Sequence, residues 1–311
     1  MSDAAGPLRI GILGAARIAP MALIKPARRN LMASVVGVAA RDTVRAATFA
    51  AKHGIERVYT GYDDLLADPD IDAVYNPLPN SHHARWTIRA LEAGKHVLCE
   101  KPFSATVAEA EAMAAAATRT GRVLMEAFHY RYHPLFGRLR TIMAAGEIGK
   151  VERLEATFCI PLLRADDIRW RAELAGGALM DTGCYAIHLL RHLAQSEPTV
   201  RSARAKWTKG GVDRWLTTDL VFPTGVAGRV TCGLLQPKLL AIGARVIGSE
   251  GQISVFNFVA PQFFHRLRVR TRAGNRSERV AGKVLQGNYN KETGAYRRVE
   301  GPSNVPYEIT G

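Results

Sequence analysis

The stretch LRIGILGAARIA, running from Leu8 to Ala19, decides how the chain is read. Leu8–Leu13 is a short continuous apolar run of the kind that forms a buried strand, and a turn toward a helix follows it. Laid on Gly14, Ala16 and Ala19, the turn takes the form of a G-x-G-x-x-G fingerprint. Glycines in that pattern allow a tight turn and let the backbone approach a pyrophosphate at a helix N-terminus. Only the first position keeps its glycine, so a generic strand-to-helix turn of an α/β protein stands beside the fingerprint as the alternative.

Outward from that turn, short apolar runs alternate with helical patterns, the signature of βαβ units and a parallel sheet. Ser34–Ala39, Asp72–Asn76, His96–Cys99 and Arg122–Ala127 read as further strands. Thr43–His53 and His82–Ala93 read as helices closed by Gly54 and Gly94, glycine being common just past a helix end. Thr106 followed by Glu109 forms a capping box that opens an alanine-rich helix ending before Gly121. Beyond residue 150 the pattern changes: Val151–Ile160, Val200–Lys209, Leu216–Phe222, Val226–Leu235, Ala241–Ile247 and Gln252–Val259 read as strands. One strong helical pattern, Asp181–Ala194, interrupts them. The expected architecture is an α/β dinucleotide-binding domain over residues 1–127 and an α+β domain over 128–311, built on an open, largely antiparallel sheet.

Length and composition agree with two globular domains: 311 residues, 47% hydrophobic and 23% charged. No apolar run reaches the ~18 residues of a spanning helix. The first residues carry Asp3 and lack a basic segment followed by a long apolar one, which predicts no secretory leader. Cys99, Cys159, Cys184 and Cys232 are far apart, with no C-x-x-C pair, so neither a disulfide scaffold nor a zinc site is expected. Reduced thiols point to a cytoplasmic protein. The net charge of +14 is lopsided: residues 1–127 carry 15 basic and 13 acidic side chains, the rest 27 and 15. Such a basic half suits an anionic substrate, a polyanion, or nothing specific.

Two short segments speak to chemistry. At the end of the second strand, where NAD enzymes usually place an acid for the ribose hydroxyls, stands Ala39-Ala40-Arg41-Asp42. Arg41 would pair with a 2′-phosphate and stack on adenine, which reads as NADP rather than NAD; otherwise it is a solvated loop residue beside a helix-capping Asp42. Glu100-Lys101-Pro102 follows a buried strand at the carboxyl edge, where open α/β sheets bind ligands.

Together with Pro79-Asn80, His83 and the run Gly176-Gly177-Ala178-Leu179-Met180-Asp181-Thr182-Gly183, these motifs resemble the glucose–fructose oxidoreductase/inositol dehydrogenase/rhizopine catabolism (Gfo/Idh/MocA) family over residues 8–260. Ala39-Ala40-Arg41-Asp42, Val97–Pro102 and Leu124–Ala127 are most similar to its dimeric dihydrodiol dehydrogenase and NADP-linked xylose dehydrogenase branch. The resemblance implies a Rossmann domain, a C-terminal sheet domain, and hydride transfer at a carbon of a sugar, polyol or related diol. It further implies a cofactor site lined by Gly14, Ala15, Ala16, Arg17, Ile18, Ala40, Arg41, Pro79, Asn80, His83, Glu100 and Lys101.

Many family members carry His four residues after the motif's Asp; here that position, counted from Asp181, is Tyr185, as in the dihydrodiol and glucose–fructose branches. Spacing i, i+4 puts Asp181 and Tyr185 on one helix face. A phenol needs a nearby cation to act as a base near neutrality, and Lys101 would supply it. Catalytic roles are therefore expected for Lys101, Tyr185 and Asp181, with a core tyrosine as the plain alternative for Tyr185. His129, Tyr130 and Arg131 in a dense polar–aromatic cluster, with Arg169 and Trp170, either line a sugar pocket or form an interdomain hinge. Asn80 and Ser81 would alternatively serve as helix caps.

Partner expectations are a small sugar or polyol, a homo-oligomer formed through the C-terminal sheet, no membrane, and no specific nucleic acid. A non-catalytic NADP-binding regulator and a basic nucleic-acid-binding protein are the other function classes carried forward. Arg266, Arg268, Arg270 and Arg272 alternate with smaller residues, so a strand there would point all four arginines to one wet face. Residues 284–311 show no helical periodicity, where family members usually end in helices; this puts pocket contacts from Tyr289 or Tyr296 in doubt.

Overall fold

The computed structural model describes residues 6–235 and 240–280, plus the backbone of a short ladder pairing Asn288–Tyr289 with Tyr296–Arg297. The rest of the 284–311 segment lies outside the described residues.

The first half alternates strand and helix: β1 (Leu8–Leu13), α1 (Lys25–Ala27), β2 (Ala33–Ala39), α2 (Thr43–His53), β3 (Arg57–Tyr59), α3 (Tyr62–Ala67), β4 (Ala73–Asn76), α4 (His83–Glu92), β5 (His96–Cys99), α5 (Val107–Thr120) and β6 (Leu124–Glu126). The six strands form one parallel sheet in the order β3-β2-β1-β4-β5-β6, a doubly wound arrangement whose order reverses beside β1. Both faces are covered. Leu65, Leu91 and Met113 from α3, α4 and α5 pack on one, and Leu23, Ile24 and Ala50 on the other. Local chemistry sets the helix ends. Asp42 accepts from the Arg45 N–H at 3.0 Å to open α2. Thr106 accepts from the Glu109 N–H at 3.2 Å to open α5, while Glu109 reaches back to the Ala105 N–H at 2.9 Å.

The second half comprises α6 (Pro134–Ala144), β7 (Val151–Cys159), α7 (Cys184–Ala194), β8 (Thr199–Trp207), β9 (Asp213–Val221), β10 (Ala227–Gly233), β11 (Ala241–Gly248), β12 (Gly251–Phe256), β13 (Arg266–Thr271) and β14 (Gly274–Glu278). Its eight strands run in the order β14-β13-β12-β11-β7-β10-β9-β8, antiparallel except for the parallel β7–β10 pair. α7 buries Tyr185, Ala186, Leu189, Leu190 and Leu193, a one-sided stripe that packs with Phe158, Val230 and Val246 of this sheet. Burying each large apolar side chain of that stripe contributes about 1.5–3 kcal/mol.

The differences from the sequence reading have local causes. The helix expected from Asp181 begins at Cys184, because Leu179–Gly183 is wound as a π-helical turn. α6 escaped notice because it opens with Pro134 capped by a histidine: His133 Nδ1 accepts from the Leu135 N–H at 3.1 Å. β3 and α3 are too short to show a period. Arg266, Arg268 and Arg270 do share an exposed face of β13, with Leu267 and Val269 buried between them. Arg272 does not join them. β13 ends at Thr271, which pairs with Gly274 across a tight turn, and Arg272 meets Glu250 at 3.4 Å. Among the described residues no helix is long and apolar enough to cross a membrane, and the four cysteines are free.

Candidate active site

Gly14 takes a positive φ of 89° where β1 meets the helical segment, a conformation that favours glycine. Its N–H donates to the Ala39 carbonyl at 2.6 Å, tying the turn to the end of β2. A Cβ at Gly14 would sit 3.0 Å from Leu78, so the missing side chain keeps the cradle open. At the other two fingerprint positions alanine serves: Ala16 is half-buried in the turn and Ala19 is packed into the core with Ile10 and Ile12. Ala15 and Ala40 are buried, whereas Arg17, Ile18 and Arg41 are exposed. Arg45, which the sequence reading passed over, donates from Nη2 to the Ala15 carbonyl at 2.9 Å and braces the turn from α2. A small-residue cradle with an exposed Arg41 at the end of β2 fits a dinucleotide carrying a 2′-phosphate.

The loops after β4 and β5 interlock. Asn76 is buried and donates to the His83 carbonyl at 3.2 Å and to Thr87 Oγ1 at 3.1 Å. The His83 ring nitrogens lie 2.7 Å from the Pro102 carbonyl and 2.8 Å from that of Leu78. Asn80 does not cap a helix: its amide donates to the Ala175 carbonyl at 2.8 Å, linking the Pro79-Asn80 loop to the segment before α7. Glu100 faces inward, accepting from the Tyr75 hydroxyl at 2.7 Å and from the Lys101 N–H at 3.2 Å. It braces the loop that carries Lys101.

Lys101, Asp181 and Tyr185 are brought together. Lys101 Nζ lies 2.8 Å from Asp181 Oδ1 and 5.2 Å from the centre of the Tyr185 ring. Burial works against the Lys101 ammonium, but Asp181 and Tyr185 together hold its pKa above the ordinary lysine value. Burial would favour a neutral Asp181, yet Lys101 and Arg169 keep its carboxyl below the usual range. The Tyr185 phenol is raised by burial, with Lys101 pulling the other way. Arg169 Nε holds the second Asp181 oxygen, Oδ2, at 2.7 Å. Gly177 closes the approach to this turn: its φ is 119° and a Cβ there would collide with Asp213, whose carboxylate accepts from the Leu179 N–H at 2.8 Å.

Aromatic rings surround Tyr185. Phe128 and Phe158 meet it edge-on, with centroids 5.3 and 5.5 Å away. His129 is exposed, 6.1 Å from the Tyr185 ring. Tyr130 is buried and its hydroxyl is bonded to His188 Nδ1, so it supports this wall from behind; the sequence reading had given His188 no role. Arg131 is exposed, and Trp170 is half-buried with its indole N–H donating to the Arg164 carbonyl at 3.0 Å. Among the described residues no group of three or more His, Cys, Asp or Glu side chains is arranged to hold a metal. Phe128, Phe158 and Asp167 were not foreseen as parts of the site; only Asp167, two residues before Arg169, left a charged signal in the sequence.

Residues 8–128 match the oxidoreductase family with an NAD-binding Rossmann fold, and residues 136–254 match the GFO/IDH/MocA C-terminal domain. The chain is 40% identical over 261 residues to a dTDP-3,4-didehydro-2,6-dideoxy-alpha-D-glucose 3-reductase of Streptomyces violaceoruber, covering 83% of this chain and 75% of that protein. It is 38% identical over 232 residues to a D-xylose 1-dehydrogenase (NADP(+)) of Haloferax volcanii, covering 74% and 71%. A 3-ketoreductase of Actinomadura kijaniata, crystallised with NADP and TDP-benzene, superposes with a TM-score of 0.83 at 30% identity, covering 88% of this chain and 84% of that one. The chain belongs to the Gfo/Idh/MocA family of NAD(P)-linked oxidoreductases.

Proposed function

We propose that this enzyme uses NADP to transfer hydride to or from a carbon bearing a hydroxyl or keto group on a sugar, polyol or related diol, with Tyr185 as proton donor and acceptor and Lys101 assisting. The observation that carries this reading is the meeting of Lys101, Asp181 and Tyr185, where His83 holds the Pro102 carbonyl next to Lys101 and Asn80 ties its loop to Ala175 ahead of α7. Bound NADP(H) would supply or accept the hydride. Gly14, Ala15, Ala16, Arg17 and Ile18 would hold its pyrophosphate, Ala40 and Arg41 its adenosine end, and Pro79, Asn80, His83 and Glu100 would shape the floor toward Lys101.

The proton chemistry follows from the chain's own groups. A phenol held protonated by burial is ready to donate to the oxygen of a carbonyl as it becomes an alcohol. The Lys101 ammonium stabilises the phenolate left behind, and Asp181 keeps that ammonium charged and aimed. In the reverse direction the phenolate takes the hydroxyl proton. His129 and Arg131 would contact substrate hydroxyls and the Trp170 ring would offer an aromatic face, with Tyr130 holding the wall.

The division into residues 1–127 and 128–311, a cytoplasmic location, and pairing of two copies through the open face of the eight-stranded sheet belong to the same proposal. That face carries a groove of about 960 Å3 lined in part by Trp215, Phe256 and Phe264, with Arg266 and Arg268 along it, so pairing would have to accommodate the β13 arginines. Light scattering of the purified protein tests the pairing, and a monomer would remove it.

The function itself is tested in two steps: mass spectrometry of the nucleotide retained on purification, then assays with both cofactors in both directions. The panel holds 3-keto sugar nucleotides, free pentoses and hexoses, and trans-dihydrodiols. Retained NADP without turnover on any of these would favour a non-catalytic regulator.

A further inference from the structure

We infer that Arg169 is the positioning residue of this site: by holding Asp181 Oδ2 it keeps Asp181 from cancelling the whole of the Lys101 charge beside the Tyr185 phenol. It acquires this role only if Tyr185 is the proton donor proposed above.

Asp181 is buried, and its two oxygens are shared between two cations, Lys101 Nζ at 2.8 Å and Arg169 Nε at 2.7 Å. An ammonium paired with a carboxylate of its own is cancelled electrostatically. Divided between two cations, the same carboxylate cancels less of the Lys101 charge; with Asp167, which also pairs with Arg169, the four groups are neutral, and they fall to −1 without the guanidinium. Removing the guanidinium would free Oδ2, and a buried carboxylate with an unpaired oxygen turns toward the nearest remaining donor, Lys101. The charge available to Tyr185 would then shrink.

Arg169 is itself fixed. Asp167, almost wholly buried, accepts from Arg169 Nη1 and from the Arg169 backbone N–H, each at 3.1 Å. The Arg169 carbonyl accepts from the Gly177 N–H at 2.8 Å, which anchors the segment to the turn that bears Asp181. On the other side of Asp167, Arg17 of the dinucleotide turn reaches Oδ2 at 3.7 Å. Charges of alternating sign thus run from Arg17 through Asp167, Arg169 and Asp181 to Lys101. Burial disfavours the Arg169 guanidinium, but Asp181 and Asp167 raise its pKa above the ordinary value, so it stays charged.

The charged and titratable groups facing Tyr185 are Tyr75 of β4, Lys101 and Glu100 from the loop after β5, Asp181 of the π-turn, Cys184 at the start of α7, and His129 and Tyr130 after β6. Of these, Asp181 is the one that Arg169 touches.

The experiment compares full-length Arg169→Gln and Arg169→Lys with the parent, using Tyr185→Phe to assign the Tyr185 signal. The readouts are the pH profile of kcat for alcohol oxidation and the ultraviolet difference absorbance of the phenolate. Arg169→Gln is expected to raise the apparent pKa by about one unit, which lowers the ionised fraction, and kcat at neutral pH, ~10-fold. KM should change far less than kcat, and Arg169→Lys should recover most of the loss. An unshifted profile in Arg169→Gln with an inactive Tyr185→Phe would overturn the role of Arg169 alone. A loss confined to KM would do the same, making Arg169 a substrate contact. A fully active Tyr185→Phe would instead remove the proton-donor reading on which it rests.

Discussion

Lys101 and Asp181 stand 80 residues apart in the chain and meet at 2.8 Å, one on the loop that leaves the parallel sheet and the other on the π-turn that enters α7. Neither half of the chain holds the whole cluster: the first contributes the ammonium, the second the phenol and the carboxylate that meets it. In the proposed mechanism, packing of the two halves is then a condition of chemistry as well as of stability. The Asn80–Ala175 hydrogen bond at 2.8 Å reinforces the same junction.

Tyr185→Phe keeps the ring that packs against Phe128 and Phe158 and removes only the hydroxyl. Loss of general acid–base catalysis costs about 10²–10⁴-fold, so kcat is expected to fall by that order while cofactor affinity stays nearly constant. Steady-state kinetics with a cofactor titration check both halves of this expectation. Parental turnover in the variant would take the role away from Tyr185.

Much of this site was legible in the sequence because its chemistry sits at punctuation marks of the fold. Gly14, Arg41 and Lys101 each follow the end of a parallel strand, where period and position together announce a ligand edge. Thr106 and Asp42 announced their helices by capping. Arg169 and Asp167 were harder to read, because their partners are distant or their loop is irregular and no period or spacing connects Arg169 to Lys101 through Asp181. The π-turn at Leu179–Gly183 was hidden for a related reason: its residues carry the same apolar pattern as an ordinary helical turn. Tyr130 looked like a pocket residue from its neighbours His129 and Arg131, and only the fold reveals that its hydroxyl points back to His188.

Arg41 is exposed at the end of β2, free to meet a 2′-phosphate. One charge-assisted phosphate contact is worth about 1.5–3 kcal/mol. NADP is accordingly expected to bind roughly tenfold to a hundredfold more tightly than NAD, with Arg41→Ala losing most of that margin. Fluorescence titration with each nucleotide measures the difference. Equal affinities in the parent, or an unchanged NADP affinity in the variant, would count against Arg41 as the discriminator.

His133 gives stability a defined pH dependence. Its Nδ1 accepts from the Leu135 N–H, which requires the neutral ring, and burial with nearby His265 pushes its pKa down from 6.5 to about 4. A base whose folded pKa is depressed contributes its stability fully above its unfolded pKa. That contribution is lost as pH falls from 6.5 through about 4. Asn caps helices without titrating, so His133→Asn is expected to flatten part of the acid slope. Urea denaturation of parent and variant at about pH 8 and about pH 5 measures it. His188, also pushed down to about 4 by burial, titrates in both proteins and cancels in the comparison. An identical slope in the two would exclude His133 as its source.

The arginine row on β13 separates the enzyme from a polyanion binder. Arg266, Arg268 and Arg270 are exposed on one face, with Leu267 and Val269 packed beneath, and lie far along the sheet from β7 and β10, where α7 docks. Acids further along that face are engaged elsewhere: Glu155 on β7 pairs with Arg153 and Arg245, and Asp219 on β9 with Arg229. Three aligned cations of this kind attract any polyanion without reading its sequence. Duplex DNA is therefore expected to bind weakly, with an affinity that collapses as salt rises. Each neutralised phosphate contributes a slope of about −0.9 in log K against log salt, so replacing all three arginines by glutamine would flatten that slope by roughly 3 at most. Turnover on the true substrate is expected to survive the triple substitution, because none of the three contacts Lys101, Asp181 or Tyr185 among the described residues. Salt-resistant, sequence-selective binding would give this face a nucleic-acid function of its own. A triple variant that folds and binds NADP but no longer turns over would show that the face reaches the active site, which the geometry of β13 does not provide.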